Sequence, residues 1–183
     1  MRTLARFFII LLCLMLPTYL AYADVKKIQF RDETLSLPVP DSWVLAYQAQ
    51  NDSEVIREFI PHGQTVEKWT DMITVQIFPR LVLVQPEEFL KKIGEESQKV
   101  CTDFRIKIYP IARTDRVTAL QYCTKYNKTG LGEITMLLAI KGKNAMYVVQ
   151  RAWRGAEFKL DKLPYTEQDS KQWFDMMEKV QLN

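Results

Sequence analysis

Two hydrophobic periods run along this chain. Ile73-Thr74-Val75-Gln76-Ile77 and Arg105-Ile106-Lys107-Ile108 alternate apolar with polar residues, as strands with one wet face do. Ile134 to Ile140 is almost continuously apolar, Lys141-Gly142-Lys143-Asn144 interrupts it, and Ala145 to Trp153 resumes it. That pattern predicts a hairpin of two long strands at the centre of the sheet. Weaker strand patterns lie at 27–30, 34–39, 44–51, 54–60 and 119–126, with Asn51-Asp52 and Asn127-Lys128-Thr129-Gly130 as turn residues between them.

Two stretches instead repeat at helical spacing. The first opens at Pro86, whose ring suits a first helical turn, and continues through Glu87 and Glu88, whose charges favour a helix N-terminus. Phe89, Ile93 and Val100 then form one apolar stripe to about Cys101. The second runs from about Thr166 to the end; Thr166 with Asp169 resembles a capping box, and Trp173, Met177 and Val180 form its stripe. Strands, a helix, hairpins and a terminal helix predict an α+β fold, a mainly antiparallel sheet with helices packed on it. No linker, repeat or shift of composition divides residues 24–183, which are expected to be a single domain.

Residues 1–23 read differently. Arg2 and Arg6 precede an unbroken apolar run from Phe7 to Leu16, and Ala21-Tyr22-Ala23 has the small-x-small form cleaved by signal peptidase. Pro17 interrupts a run already short for a bilayer, which needs about 20 apolar residues. Cleavage before Asp24 is expected, giving a periplasmic or secreted protein with no membrane span thereafter. Leu11-Leu12-Cys13 lacks the small residues of a lipoprotein signal.

The chain has 183 residues, a net charge of +3 and ordinary globular composition, 48% hydrophobic and 26% charged. Loss of Arg2 and Arg6 leaves it nearly neutral, and the remaining Lys and Arg are scattered, so nucleic acid is not an expected partner. Cys13 departs with the signal, leaving Cys101 and Cys123 as a pair in a compartment that permits disulfides. Their spacing is unlike the Cys-x-x-Cys of redox couples, so a structural bond is expected.

The first of two further segments is Leu35-Ser36-Leu37-Pro38-Val39-Pro40-Asp41-Ser42-Trp43, which resembles the opening of small domains of the Mog1/PsbP-like class. The second, Glu58 to Thr74, is similar to a segment of small exported proteins of Gram-negative bacteria. The resemblance implies that fold, with binding or assembly work and no fixed partner.

Candidate chemistry is sparse. His62 is the single histidine, in Pro61-His62-Gly63; a lone loop histidine is more often solvated than catalytic, and no clustered Cys or second His accompanies it for a metal. The segment 63–72 is expected to be a surface insertion containing a short helix start. Within it Trp69, flanked by Lys68 and Asp71, is either a partner anchor or a plug closing one end of the core. His62, Gln64, Glu67, Trp69 and Asp71 are therefore the partner-binding candidates. Gly-x-Ser-x-Gly and phosphate-cradling loops are missing, and the acid pairs Glu87-Glu88 and Glu95-Glu96 diverge around a helix. The expected role is a non-enzymatic exported module acting through contacts with another protein, without cofactor. The alternatives are a secreted hydrolase with a site near His62, and a carrier of a small apolar ligand held between sheet and helix.

Overall fold

The alternating segments satisfy their backbone groups by pairing with one another, and the helices cover the apolar faces that result. The computed structural model describes residues 23–109 and 113–183; the expected signal segment up to Tyr22 lies outside them. Ala23–Phe30 (β1) and Glu33–Pro40 (β2) form a hairpin. Trp43–Gln50 (β3), Val55–Pro61 (β4), Asp71–Phe78 (β5), Phe104–Tyr109 (β6), Arg116–Cys123 (β7), Gly132–Lys141 (β8) and Met146–Gly155 (β9) follow. These seven make one antiparallel sheet in the order β3-β4-β5-β9-β8-β7-β6, with the expected hairpin β8–β9 inside it. Helix α1 spans Pro86–Val100 and α2 spans Glu167–Glu178, where the capping box between Thr166 and Asp169 is formed.

One face of the large sheet packs against the β1–β2 hairpin and α2. Leu35, Leu37 and Val39 alternate inward from β2, and Trp173 and Met177 point down from α2, onto Val75, Leu138 and Val149. Burying such a side chain fully is worth about 1.5–3 kcal/mol. The other face takes α1, through Phe89 and Leu90 on Val117, Leu137, Ala139 and Val148. Val100 does not join the expected stripe and is 45% exposed. Gly94 takes the contact instead, because a Cβ there would stand only 3.3 Å from Ile106, so the missing side chain lets the helix settle close to β6.

Several boundaries differ from the sequence pattern: β1 starts at Ala23 rather than at 27, in register with Pro40 across its hairpin. Strand β7 begins three residues before Ala119, because the apolar run of its partner continues to Ile140 and draws Arg116 into the ladder opposite it. Thr124 and Tyr126 lie past the end of that strand. The last helix stops at Glu178, and Gln181–Leu182 (β10) pairs with the free edge of β2. Thr34 and Asn183 exchange backbone bonds of 2.7 and 3.1 Å there, a gain in ladder bonding that further helix would forfeit.

The two sheets are pinned by Glu33, only 5% exposed. Its carboxylate accepts from the backbone N–H of Lys143 at 2.7 Å and Asn144 at 2.8 Å, and from the Tyr147 hydroxyl at 3.2 Å. Gly142 is required in that turn, since a Cβ would fall 2.6 Å from the carboxylate. Cys101 and Cys123 are bonded with Cα atoms 5.5 Å apart, tying the end of α1 to the end of β7. Replacing both by Ser should cost about 2–5 kcal/mol in denaturant unfolding. Equal stability of the oxidised protein and the double variant would show that the bond constrains nothing.

Candidate functional site

The segment between β4 and β5 is a closed loop. Gly63 turns the chain with φ of +88°, where a side chain would be strained. The expected helix start does not form: Thr65 and Lys68 exchange backbone bonds of 3.2 and 3.0 Å, which closes a turn instead. Gln64 seals the base, its Oε1 accepting from the Thr70 N–H at 2.8 Å and its Nε2 donating to the Thr70 hydroxyl at 3.0 Å.

Trp69 is 8% exposed and packs on Ile60, Met72 and Ala152. The Arg154 guanidinium lies 3.8 Å from its ring centroid and is held in turn by Glu133 through Nε and Nη2, at 3.1 and 3.0 Å. Trp69 therefore anchors the loop from beneath, while His62 and Glu67 remain exposed and Gln64 is half-buried. A hydrogen bond from Thr65 is the main cause that lowers the Glu67 carboxyl below its ordinary value, so it presents a negative charge.

Asp71 leaves this group. It points to the opposite face of β5, where its cross-strand neighbour is Trp153, and its carboxylate accepts from Arg151 at 2.9 Å. Arg151 also lies over Trp43 at 4.4 Å and near Trp173 at 5.7 Å. The candidate residues thus split between the two sheet faces, and Asp71 is engaged by the half-buried Arg151 while His62 stands on the surface.

The geometry instead joins His62 to β3. The His62 N–H donates to the Ser42 carbonyl at 3.0 Å, and Pro61 pairs with Trp43, so the turn sits at the start of that strand. Strand β3 is the sheet edge beyond β4, and after half-buried Trp43 every residue to Gln50 is exposed. Val44, Leu45 and Tyr47 are 39%, 45% and 44% exposed. Sequence reasoning placed this strand and missed its exposure along the sheet edge. It also missed Arg151, although an arginine on the parity of Tyr147, Val149 and Trp153 is a signal that a buried charge awaits partners.

No protein-family model matches the chain, and no curated protein does. Among solved structures it is similar to the Ran-binding protein Mog1p of Saccharomyces cerevisiae, at 10% identity over 84% of each chain with a TM-score of 0.49. Mog1p is of the class that the β2–β3 segment resembles. PA94 of Pseudomonas aeruginosa is similar at 13% identity over 82% of this chain and 93% of its own, with a TM-score of 0.43. LpqN of Mycobacterium tuberculosis, involved in cell envelope biogenesis, is similar at 11% identity over 87% and 91%, with a TM-score of 0.40. At such identities neither a site nor a partner transfers.

Glu58, which faces Tyr47 across the β3–β4 ladder, offers a test of the electrostatics. Burial raises its carboxyl above the ordinary value, and the attraction of Arg154 only partly offsets this. Because the folded protein favours the protonated form, stability is complete below the ordinary glutamate range and falls as pH rises through the raised folded value. Glu58→Gln should therefore gain on the parent as pH climbs toward neutrality, by less than about 1 kcal/mol because water screens a half-buried group. Unfolding curves at acid and neutral pH check it; a constant difference between the two proteins would overturn the assignment.

Proposed function

We propose that this chain is exported after removal of residues 1–23 and works as a non-enzymatic binding module, gripping a protein partner along β3 and the adjoining Pro61–Gly63 turn. One observation carries the reading: β3 is an eight-residue edge strand without charge and with exposed apolar side chains. Unpaired N–H and C=O groups along such an edge are a template for another strand, and strand addition lets backbone bonds supply affinity while alternate side chains select the partner. His62 supplies a polar position beside it, and exposed Glu67 lies in the loop that follows. Export is supported by the charged, apolar and small-residue zones of the first segment, by the disulfide, and by the fact that no helix among the described residues is long and apolar enough to cross a membrane.

The hydrolase reading finds less support. It asks for His62 beside an acid such as Asp71, and Asp71 is held by Arg151 on a sheet face.

Leu45→Lys combined with Tyr47→Lys should leave the melting temperature nearly unchanged, since both side chains are exposed, and reduce partner capture at least tenfold, roughly 1.4 kcal/mol or more. Hydrogen exchange on the captured complex should protect the β3 amides. Protection elsewhere, or equal capture by the variant, would refute the edge as the docking site. N-terminal sequencing of the exported protein should begin at Asp24 or within a few residues; a form that keeps Met1 and is released only by detergent would refute cleavage.

A further inference from the structure

Between α2 and the far end of the large sheet, away from β3, lies a cavity of about 270 Å3. Tyr109, Leu138, Phe174 and Met177 give it apolar walls, and Arg113, Arg116 and Thr118 supply polar positions. Arg116 is 9% exposed. Its Nη1 donates to the Val180 carbonyl at 3.1 Å, while its buried Nε has no partner among the described residues.

The other two inward arginines differ. Arg151 is paired with Asp71 and Arg154 with Glu133, whereas no ion pair is formed by Arg116 among the described residues. Asp115, its chain neighbour, is engaged bidentately by Arg113 at 3.0 and 2.7 Å. Burial first, then the charge of Arg113, lowers the guanidinium from its ordinary value, with Asp115 opposing. A guanidinium keeps its proton even when buried, so its cost is relieved by an anion rather than by neutralisation.

We infer that this cavity binds a small amphipathic carboxylate, its head on Arg116 and its apolar body between Phe174 and Met177. The volume suits a small ligand: at the ~30 Å3 that a water takes in the liquid, it has room for about nine such volumes. The walls favour a carboxylate over a phosphate, because they are mainly apolar and the guanidinium fork meets a carboxylate with two bonds. Exposed Glu178 also borders the cavity, and it repels a dianion more than a monoanion. The site stands at the opposite end of the sheet from β3, so its test and that of the edge strand are independent.

Octanoate is the probe, with octan-1-ol as its uncharged counterpart and inorganic phosphate as the head alone, titrated into the protein as its host produces it. Octanoate should bind at one site and shift the Met177 methyl resonance, with octanol weaker by about tenfold or more, as loss of a charged hydrogen bond predicts. Arg116→Met should abolish the preference for octanoate, and Glu178→Gln should tighten octanoate binding. Equal affinity for octanoate and octanol, an unmoved Met177 methyl, tighter binding of phosphate than of octanoate, or a preference that survives Arg116→Met would each overturn the site. If Arg116→Met does not fold, the octanoate-to-octanol ratio and the Met177 signal of the unaltered protein decide.

Discussion

The rest of the structure depends on the central hairpin being buried on both faces. Met136, Leu138 and Ile140 of β8 point one way and Leu137 and Ala139 the other, all at 1% exposure or less. An antiparallel sheet with one wet face needs a single cover; this one needs two. The β1–β2 hairpin with α2 supplies one layer and α1 the other. The second layer is incomplete, since α1 covers β6 to β8 and the inward Trp69 loop covers the far end at Met72 and Ala152. Between them the sheet carries Gln76 and Gln150, joined to each other and to Glu54, because a face left partly wet must satisfy its polar groups.

Strand β9 then anchors the proposed docking surface from beneath. Arg151 and Arg154 project to opposite faces, and each meets a tryptophan from another segment and a carboxylate. Such stacking is worth about 0.5–2 kcal/mol, and both ion pairs are half-buried, so water still screens part of each. The tryptophans are Trp43, which starts β3, and Trp69, which closes the neighbouring loop. Both segments of the proposed docking surface are therefore tied to the middle of the sheet at one point each and are left bare elsewhere.

Much of this was legible in the chain. The period-2 runs, the β8–β9 hairpin, the helix opening at Pro86, the Thr166 capping box and the cysteine pair each rest on local chemistry, and each appears in the structure. What escaped depended on partners distant in sequence. The start of β7 was set by Ile140, the end of α2 by the vacant edge of β2, and the contact face of α1 by Ile106 approaching Gly94. The candidate residues 62–71 were chosen as neighbours in sequence, yet strand parity sends Asp71 and Met72 to opposite faces. Local reading had no means to join His62 to Ser42 and so to β3.

The two edges of the large sheet show why the exposure of β3 carries meaning. Strand β6 at the other edge alternates Arg105 and Lys107 with its apolar residues, and the Lys107 ammonium lies 4.6 Å from the Tyr109 ring. Charges of that kind oppose the approach of another strand, because pairing would strip their water. Strand β3 has no charge and no proline, and its only irregularity is a shift of register between Leu45 and Tyr47. The shift bends the strand locally and leaves Tyr47 to Gln50 in regular pairing with β4. One edge is guarded and the other is open, within one sheet and one solvent. Stability does not account for the difference, since polar residues in place of Val44, Leu45 and Tyr47 would forfeit little buried area. An edge left open in this way is what the proposed addition of a partner strand requires.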